Sequence, residues 1–255
     1  MDLPMTEAVL SSPIRTPHWT LPEGVKAFYT TRKMGVSQPP YESNNLAMHV
    51  GDNPADVQFN RDALPCADSV AWLTQVHGIR CIRITKDYFL PLEVAKADAS
   101  FTTERKSVCA VMTADCMPIL VANTAGTCVA AIHAGWRGLA NGIIENTIAA
   151  MNCEPGALTV WVGPHISQRH FQVSEDLRKV FAQYPEAFVK DTEKGKYLCS
   201  LAQIAREKCH SIGVGSFVES GICTYVHHGD FYSHRYAQHH GQAQTGRFVC
   251  GIYLQ

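Results

Sequence analysis

Three short segments each place a metal-type ligand at the end of an apolar run. The segments are Gln75-Val76-His77-Gly78, Ala114-Asp115-Cys116-Met117-Pro118 and His133-Ala134-Gly135-Trp136-Arg137-Gly138. Because the ends of strands in one sheet can meet at one point, we expect His77, Cys116 and His133 to converge. Two histidines and one cysteine form a known catalytic zinc set, in which a fourth position is left for water or substrate. Their separations of 39 and 17 residues match no local zinc motif, so hydrogen-bonded core residues are the alternative interpretation.

An acidic side chain stands directly beside the cysteine in the middle segment. Asp115 is a candidate proton donor, or a partner that orients the metal ligands through a hydrogen bond. Zinc would hold Cys116 as the thiolate, because a bound cation lowers the pKa of a coordinating thiol. Adjacent residues of an extended chain point in opposite directions, so capping of a turn is the alternative role for Asp115.

Four arginines are candidates for binding an anionic group of a substrate. Arg32, Arg235 and Arg247 stand in predicted loops or at strand edges, and Arg137 lies in the glycine-rich segment after His133. Arginine suits phosphate because its planar guanidinium forms parallel, charge-assisted hydrogen bonds. Arg32 opens a long polar loop over residues 32–53, and loops of that length are often functional. A surface ion pair is the alternative role for Arg137.

The elements that must position these residues are apolar or alternating runs separated by glycine, proline and polar turns. The pattern predicts strands over residues 25–31, 71–76, 81–85, 108–113, 118–122, 127–133, 158–162, 217–218 and 248–254. It predicts helices over residues 57–64, 138–151, 174–184 and 200–212. Strands and helices mix without strict βαβ alternation, which predicts an α/β (α+β) fold with mixed sheets covered by outer helices. We expect residues 1–24 to form an irregular arm and residues 25–255 to form a single domain.

Composition and charge limit the classes of partner. The chain has 255 residues, of which 46% are hydrophobic, and 22 Lys and Arg stand against 23 Asp and Glu. A net charge of −1 lacks the broad basic field that binding to nucleic acid or to an anionic membrane needs, so neither partner is expected. The ten cysteines form no CxxC pair, and no run resembles a signal peptide or a transmembrane helix. These features predict a cytoplasmic protein with reduced thiols.

The three ligand segments also carry a resemblance to a known family. The chain resembles the YfiH family over nearly its whole length, with the motifs in the same order. The motifs that carry the resemblance are TQVHG, TADCMPIL and HAGWRGL, together with Thr30-Thr31-Arg32 and Thr245-Gly246-Arg247. The family is also labelled the laccase-domain, DUF152 or polyphenol oxidase family. The resemblance implies a layered α/β/β/α fold with mixed sheets. It also implies one metal ion per chain, usually zinc, at His77, Cys116 and His133.

The activities described for this family differ, and the residues favour one of them. The resemblance implies a zinc-dependent purine nucleoside phosphorylase acting on adenosine, inosine and methylthioadenosine, with adenosine deaminase as a side activity. Its partners would be small molecules, a purine nucleoside and phosphate. In this hypothesis Cys116, Asp115 and Arg32 are the catalytic candidates. Arg235, Arg247 and Arg137 are the candidates for binding substrate or phosphate.

Three alternatives remain open at the level of sequence. A zinc or cysteine amidase that edits peptidoglycan precursors would use Cys116 or an activated water as nucleophile, with the backbone of residues 135–138 holding the oxyanion. A copper polyphenol oxidase is less well supported, because the chain has no HxH pair to supply several copper sites. Copper could still bind in vitro, since it leads the affinity order for most sites. The third alternative is a non-catalytic module with a structural metal.

Some positions depart from the family pattern. Lys33-Met34-Gly35 stands where a glycine pair is common, so the loop after Arg32 is expected to have a different shape. Phe171-Gln172-Val173 stands where Tyr-Glu-Val is usual, which removes a carboxylate from that position.

Overall fold

The secondary structure is a mixture of strands and short helices throughout. The structure, a computed structural model, describes residues 12–89 and 94–255. The strands are β1 Ile14–Arg15, β2 Val25–Thr30, β3 Val70–Ala71, β4 Cys81–Arg83, β5 Ala99–Thr102, β6 Val108–Thr113, β7 Met117–Asn123, β8 Val129–Ala134, β9 Leu158–Val162, β10 Gln172–Ser174, β11 Phe188–Lys190, β12 Lys196–Cys199, β13 Ser216–Glu219 and β14 Phe248–Leu254. The α-helices are α1 Pro54–Asp62, α2 Trp136–Asn141, α3 Ile143–Met151, α4 Glu175–Val180, α5 Leu201–Ile212 and α6 His234–His239.

Two large sheets carry most of the strands. The first has the order β13-β9-β7-β8-β5-β4, in which the two outer pairs, β13 with β9 and β4 with β5, are parallel and the inner pairs are antiparallel. The second has the order β1-β2-β14-β6-β3, with the C-terminal strand β14 antiparallel between β2 and β6. A third, small sheet joins β10, β12 and β11. Both large sheets are mixed, as the sequence predicted.

The two large sheets pack face to face, and the alternation of side chains along each strand produces this packing. On β7, Leu120 and Ala122 enter the core between the sheets, whereas Ile119 and Val121 enter the core on the other side. On β14, Cys250 belongs to the core between the sheets and Val249 to the outer core. Successive side chains of a strand point to opposite faces, so each sheet separates two apolar layers.

Helices cover the outer faces. Ile143, Ile144 and Ile148 of α3 and Ile204 of α5 share one apolar cluster with the outer face of the six-stranded sheet. The outer face of the other sheet packs against the loop around Leu46 and the residues flanking α1. The order helix, sheet, sheet, helix confirms the layered α/β/β/α class with mixed sheets.

The helix predicted over residues 138–151 is two helices. Gly142 lies between α2 and α3 with φ of 97°, a left-handed conformation that other residues rarely adopt. Helix α2 lies close to the loop that carries His77, since a Cβ on Gly138 would lie 2.9 Å from the Gly78 carbonyl oxygen. Apolar spacing alone does not show this break.

Other elements also differ from the sequence prediction. The strand predicted over residues 71–76 is limited to Val70–Ala71, and the helix predicted over 174–184 ends at Val180. The sequence pattern did not predict strand β5, the small sheet or helix α6. Strand Ile14–Arg15 pairs with β2 inside the segment expected to be irregular, and residues 1–11 of that segment lie outside the described residues. In the described ranges, no helix combines the length and apolarity needed to cross a membrane.

Candidate functional site

The predicted ligands His77, Cys116 and His133 lie together at one edge of the six-stranded sheet. Cys116 directly precedes β7, after a turn in which Asp115 has φ of 89°. His133 is near the end of β8, opposite Pro118 of β7, so the antiparallel hairpin brings it beside Cys116. His77, with φ of 58°, comes from the loop before β4. The three ligand atoms all lie within 4.8 Å of one another.

The spacing of the Cys116 and His77 ligand atoms fits a tetrahedral metal ion. The Cys116 Sγ and His77 Nε2 atoms are 3.7 Å apart. Zinc bonds of about 2.3 Å to sulfur and about 2.05 Å to nitrogen, at a tetrahedral angle, would separate these atoms by about 3.6 Å. Within the described part of the chain, this is the one group of three or more side chains with such ligand atoms. Three protein ligands are the number found in catalytic zinc sites, where the fourth position stays open.

A buried carboxylate that the sequence analysis missed organises two of the ligands. Asp98 is fully buried and lies 2.9 Å from His133 Nδ1, which leaves the Nε2 atom of that ring for a metal. Its oxygens also accept hydrogen bonds from the backbone N–H groups of Val76, His77 and Gly78, at 3.2, 2.9 and 2.7 Å. Asp98 thus holds both the loop of His77 and the ring of His133. The sequence signal for this role is a single acidic residue between two small residues, in Ala97-Asp98-Ala99.

The cluster favours a thiolate. Burial disfavours the charged form of Cys116, but the charge of His133 and hydrogen bonds from His133 and His77 hold the pKa of its thiol at about 6. Burial likewise disfavours the cationic form of His133, but Cys116 and Asp98 raise the pKa of its imidazole to about 9. A thiolate at neutral pH suits both a metal ligand and a nucleophile.

Gly135 leaves the space that the ligands occupy. A Cβ atom at this position would lie 2.9 Å from His77 Cδ2 and 3.0 Å from Cys116 Sγ. Gly135 also precedes α2, so the backbone can turn directly over the cluster. The glycine of the HAGWRG motif is therefore required by close approach to the ligand atoms.

We expect Gly135→Ala to weaken zinc binding on the order of 10- to 100-fold, the usual range when the surroundings of a metal ligand are disturbed. The methyl group must displace His77 or Cys116, while the strands beneath them remain packed. A competition titration against a chelator measures the affinity, and Gly156→Ala, whose Cβ would meet nothing within 4 Å, is the matched control. Equal zinc affinities in the two variants would show that the close approach has no effect.

Two cavities adjoin the cluster, and both include His77, Cys116 and His234 in their walls. The first, called here the arginine cavity, has a volume of about 190 Å³ and is further lined by His49, Gln75, Thr113 and Arg247. The second, called here the aromatic cavity, has about 270 Å³ and is further lined by Trp136, Arg137, Ile166, Phe171, Arg235 and Gln238. A metal ion at the cluster would be reached from both cavities.

The predicted acid Asp115 lines the aromatic cavity, and both of its oxygens are engaged. The Thr224 hydroxyl donates a hydrogen bond of 2.6 Å to one oxygen. The backbone N–H of Arg235, in the first turn of α6, donates a hydrogen bond of 2.6 Å to the other. The carboxylate therefore fastens α6 to the turn that carries Cys116.

The other predicted arginines differ in their surroundings. Arg235 donates hydrogen bonds to the carbonyls of His170 and Gln172. Arg137 is exposed, and its guanidinium lies 4.4 Å from the centroid of the Trp136 ring. Both line the aromatic cavity.

The structure does not bring Arg32 to the cluster. This arginine lines a separate cavity of about 460 Å³. Its guanidinium donates to the carbonyls of Glu42 and His228 and lies 3.7 Å from the Glu42 carboxylate. Its charge therefore already has a partner.

Comparison with known proteins agrees with the motifs. A family model described as multi-copper polyphenol oxidoreductase laccase matches residues 26–255. A protein of Escherichia coli named purine nucleoside phosphorylase YfiH is 40% identical over 251 residues, covering 95% of this chain and 99% of the relative. A purine nucleoside phosphorylase of Pseudomonas aeruginosa is 39% identical, covering 94% and 98%.

A solved structure supports the same relationship at the level of the fold. The crystal structure of the Neisseria meningitidis protein NMB0706, assigned to DUF152, superposes with a TM-score of 0.86 and 39% identity, covering 96% of this chain and all of that one. Sequence motifs, family model and fold therefore agree, and the chain belongs to the YfiH family, the laccase-domain or DUF152 family.

Proposed function

We propose that the protein is a zinc-dependent purine nucleoside phosphorylase. The observation that carries the proposal is the His77, Cys116 and His133 cluster, which has a cavity on two sides and three protein ligands among the described residues. The names of the relatives point to the same activity. Zinc bound at these residues would act as a Lewis acid towards a substrate oxygen or a water molecule.

The aromatic cavity suits the nucleoside. Trp136, Phe171 and Ile166 offer flat or apolar surface to a purine, while Gln238 offers hydrogen bonds to its ring edge. Asp115 acts here as a positioning residue, because its two oxygens already accept hydrogen bonds from Thr224 and Arg235. Asp98 keeps the His133 ring in one orientation throughout the reaction.

The proposal also covers the individual substrates, a side activity and the cellular compartment. Adenosine, inosine and methylthioadenosine share the purine and the ribose, and all are included as substrates. Deamination of adenosine is proposed as a side activity, in which an activated water attacks C6 of the purine. A cytoplasmic setting is proposed as well, supported by ten free cysteines.

Copper oxidation of phenols has less support in this chain. Oxidases with several copper ions need several ligand clusters, and the described residues contain the single cluster of His77, Cys116 and His133. We propose one zinc ion per chain in protein prepared without added metal, with copper binding limited to in vitro loading.

An amidase is the second candidate, and the thiolate character of Cys116 favours it. A nucleophile with a pKa of about 6 is largely ionised at neutral pH and could attack an amide carbon. Such a reaction would not depend on phosphate, so phosphate dependence distinguishes the two candidates.

Incubation of the purified protein with adenosine, with and without inorganic phosphate, tests the proposal. We expect ribose 1-phosphate in an amount equal to adenine and hypoxanthine together when phosphate is present, and a much lower rate of adenine release without it. A small amount of inosine should form under both conditions, because deamination needs no phosphate. Adenine release at the same rate in both conditions would indicate hydrolysis and would contradict phosphorolysis.

A further inference from the structure

The two cavities beside the cluster differ in their lining: Arg137 and Arg235 of the aromatic cavity share it with the Asp115 carboxylate, whereas Arg247 shares the arginine cavity with no carboxylate. The inference rests on the proposed function, because it places the substrates of that reaction. The aromatic cavity has apolar walls at Trp136 and Phe171. The arginine cavity has Arg247, His49 and His234 in its walls and no carboxylate among its lining residues.

Arg247 is held in place but keeps hydrogen-bonding capacity. Its Nη1 atom donates to the carbonyls of Thr245 and Gly246, at 2.7 and 3.0 Å. Over residues 12–89 and 94–255, its Nε and Nη2 atoms have no hydrogen-bond partner and its guanidinium forms no ion pair. A guanidinium fixed at one end offers its other N–H groups to an anion with little loss of rotamer freedom.

Arg61 places a second cation behind the same cavity. Its Nε atom donates to the Leu46 carbonyl, and its guanidinium lies 3.6 Å from the centroid of the Trp72 ring. Its Nη2 atom lies 4.0 Å from the sulfur of Met112, a residue of the cavity wall. No carboxylate of the described residues forms an ion pair with it.

Arg61 is partly buried. This burial lowers the pKa of its guanidinium to about 10, which still leaves the side chain charged at neutral pH. Burial and the charges of Arg247 and Arg61 together lower the pKa of His49. Both arginine charges therefore act on the same wall of the cavity.

The balance of charge around the metal makes the cavity attractive to an anion. A divalent ion, the Cys116 thiolate and the carboxylates of Asp98 and Asp115 together sum to −1. Arg61 and Arg247 form no ion pair among the described residues and bring the sum to +1, although the charges of Cys116 and Asp115 act on Arg247. Phosphate carries between one and two negative charges near neutral pH, since its second pKa is about 6 to 7.

The other candidate arginines, Arg32, Arg137 and Arg235, do not line the arginine cavity. Arg32 is paired with Glu42 in a different cavity. The Arg235 guanidinium donates to the Gln172 carbonyl from both Nη atoms and lies 5.5 Å from the centroid of the Phe171 ring. Neither offers an unpaired guanidinium in the arginine cavity.

We propose that inorganic phosphate binds in the arginine cavity, in contact with Arg247 and in the field of Arg61, while the nucleoside occupies the aromatic cavity. In the reaction, a phosphate oxygen forms a bond to C1′ of the ribose as the bond from C1′ to the purine nitrogen breaks. The electron pair of the broken bond leaves with the purine, which takes up a proton that the monoanionic phosphate gives up. Ribose 1-phosphate and the free base are the products, and no oxidant is needed.

Isothermal titration of the zinc-loaded protein with inorganic phosphate tests this placement without turnover. Arg247→Gln should raise the phosphate Kd by about 30- to 150-fold, the factor expected when a charge-assisted contact is lost. Arg61→Gln should raise it severalfold, and Arg61→Lys, which keeps the charge, should recover most of the affinity. Zinc content should stay at the wild-type value in all three.

Two controls make the result specific. Arg83 is an exposed arginine on β4, an outer strand of the six-stranded sheet, and its side chain contacts Thr103. Arg83→Gln should leave the phosphate Kd within about twofold of the wild-type value. Arg32→Gln tests the rival cavity and should also leave it nearly unchanged. Loss of phosphate binding in Arg32→Gln with retention in Arg247→Gln would overturn the placement.

The placement and the proposed function fail in different ways. If wild-type protein binds phosphate through Arg247 but forms no ribose 1-phosphate, the placement holds and the phosphorylase proposal is wrong. If phosphorolysis occurs and Arg247→Gln keeps both the wild-type phosphate Kd and the wild-type KM for phosphate, the phosphorylase proposal holds and the placement is wrong.

Discussion

Replacing Cys116 by alanine is expected to remove the bound metal and to lower the rate of phosphorolysis by about a thousandfold or more. The described part of the chain offers three protein ligands here, so the loss of the thiolate leaves two imidazoles to hold the ion. A Lewis acid stabilises a transition state by several kcal/mol, and about 4 kcal/mol corresponds to a factor of about a thousand. Metal analysis and a ribose 1-phosphate assay measure the two effects.

The fold should survive this substitution. Cys116 lies at the edge of the sheet, whereas the cores between and outside the sheets consist of apolar side chains. A chain of this length buries enough surface without a metal ion. Circular dichroism should therefore match the wild type, and the melting temperature should equal that of chelator-treated wild type. Cys66→Ala, at an exposed free thiol, is the control that keeps zinc. Unfolding of Cys116→Ala would instead indicate a structural metal.

Asp98→Asn is expected to weaken zinc binding by about 10- to 100-fold and to destabilise the protein by about 1–3 kcal/mol. The carboxylate accepts hydrogen bonds from His133 and from three backbone N–H groups of residues 76–78. An amide replaces one of the two acceptor oxygens by a donor, so buried N–H groups lose their partners. The negative charge that offsets the metal is lost as well.

Chelator competition and denaturant unfolding measure these two effects separately. Asp87→Asn, at an exposed residue of the short helix Lys86–Phe89, provides the matched control. Unchanged zinc affinity in Asp98→Asn would show that the hydrogen bond to His133 does not matter for the metal. A large loss of stability with normal zinc affinity would assign Asp98 to the fold alone.

The convergence of Cys116 and His133 could be predicted, because they lie at adjoining ends of two neighbouring strands of one sheet. The antiparallel pairing of β7 and β8 places Cys116, just before β7, beside His133, near the end of β8. Both strands could be predicted from their apolar runs. His77 joins them for another reason: the strand expected before it ends at Ala71 and lies in the five-stranded sheet, so its position depends on a loop held by Asp98. The role of Asp98 could not be predicted in this way. It depends on the register of β5 against β8, where Ala99 lies opposite Ile132, and β5 is a short strand rich in small residues.

Arg61 was missed for a different physical reason. It lies in the helix predicted over residues 57–64, whereas the candidate arginines were sought in predicted loops and at strand edges. Helix α1 turns Asn60 into the interior, and the neighbouring Arg61 packs on Trp72. The spacing of residues shows which face of a helix is apolar, but not which cavity lies beside that face. The break at Gly142 is a similar case, because the apolar spacing continues across the residue whose left-handed φ of 97° separates α2 from α3.

Stepwise reloading of metal-stripped protein with zinc, followed by an assay of ribose 1-phosphate from inosine and phosphate, links the metal to the reaction. We expect the rate to rise in proportion to bound zinc and to reach its plateau at one ion per chain, with no rise in Cys116→Ala. A stripped protein that is fully active would contradict this, as would a plateau at another stoichiometry. Turnover of phenols by copper-loaded protein, with no ribose 1-phosphate from the zinc form, would contradict it most strongly.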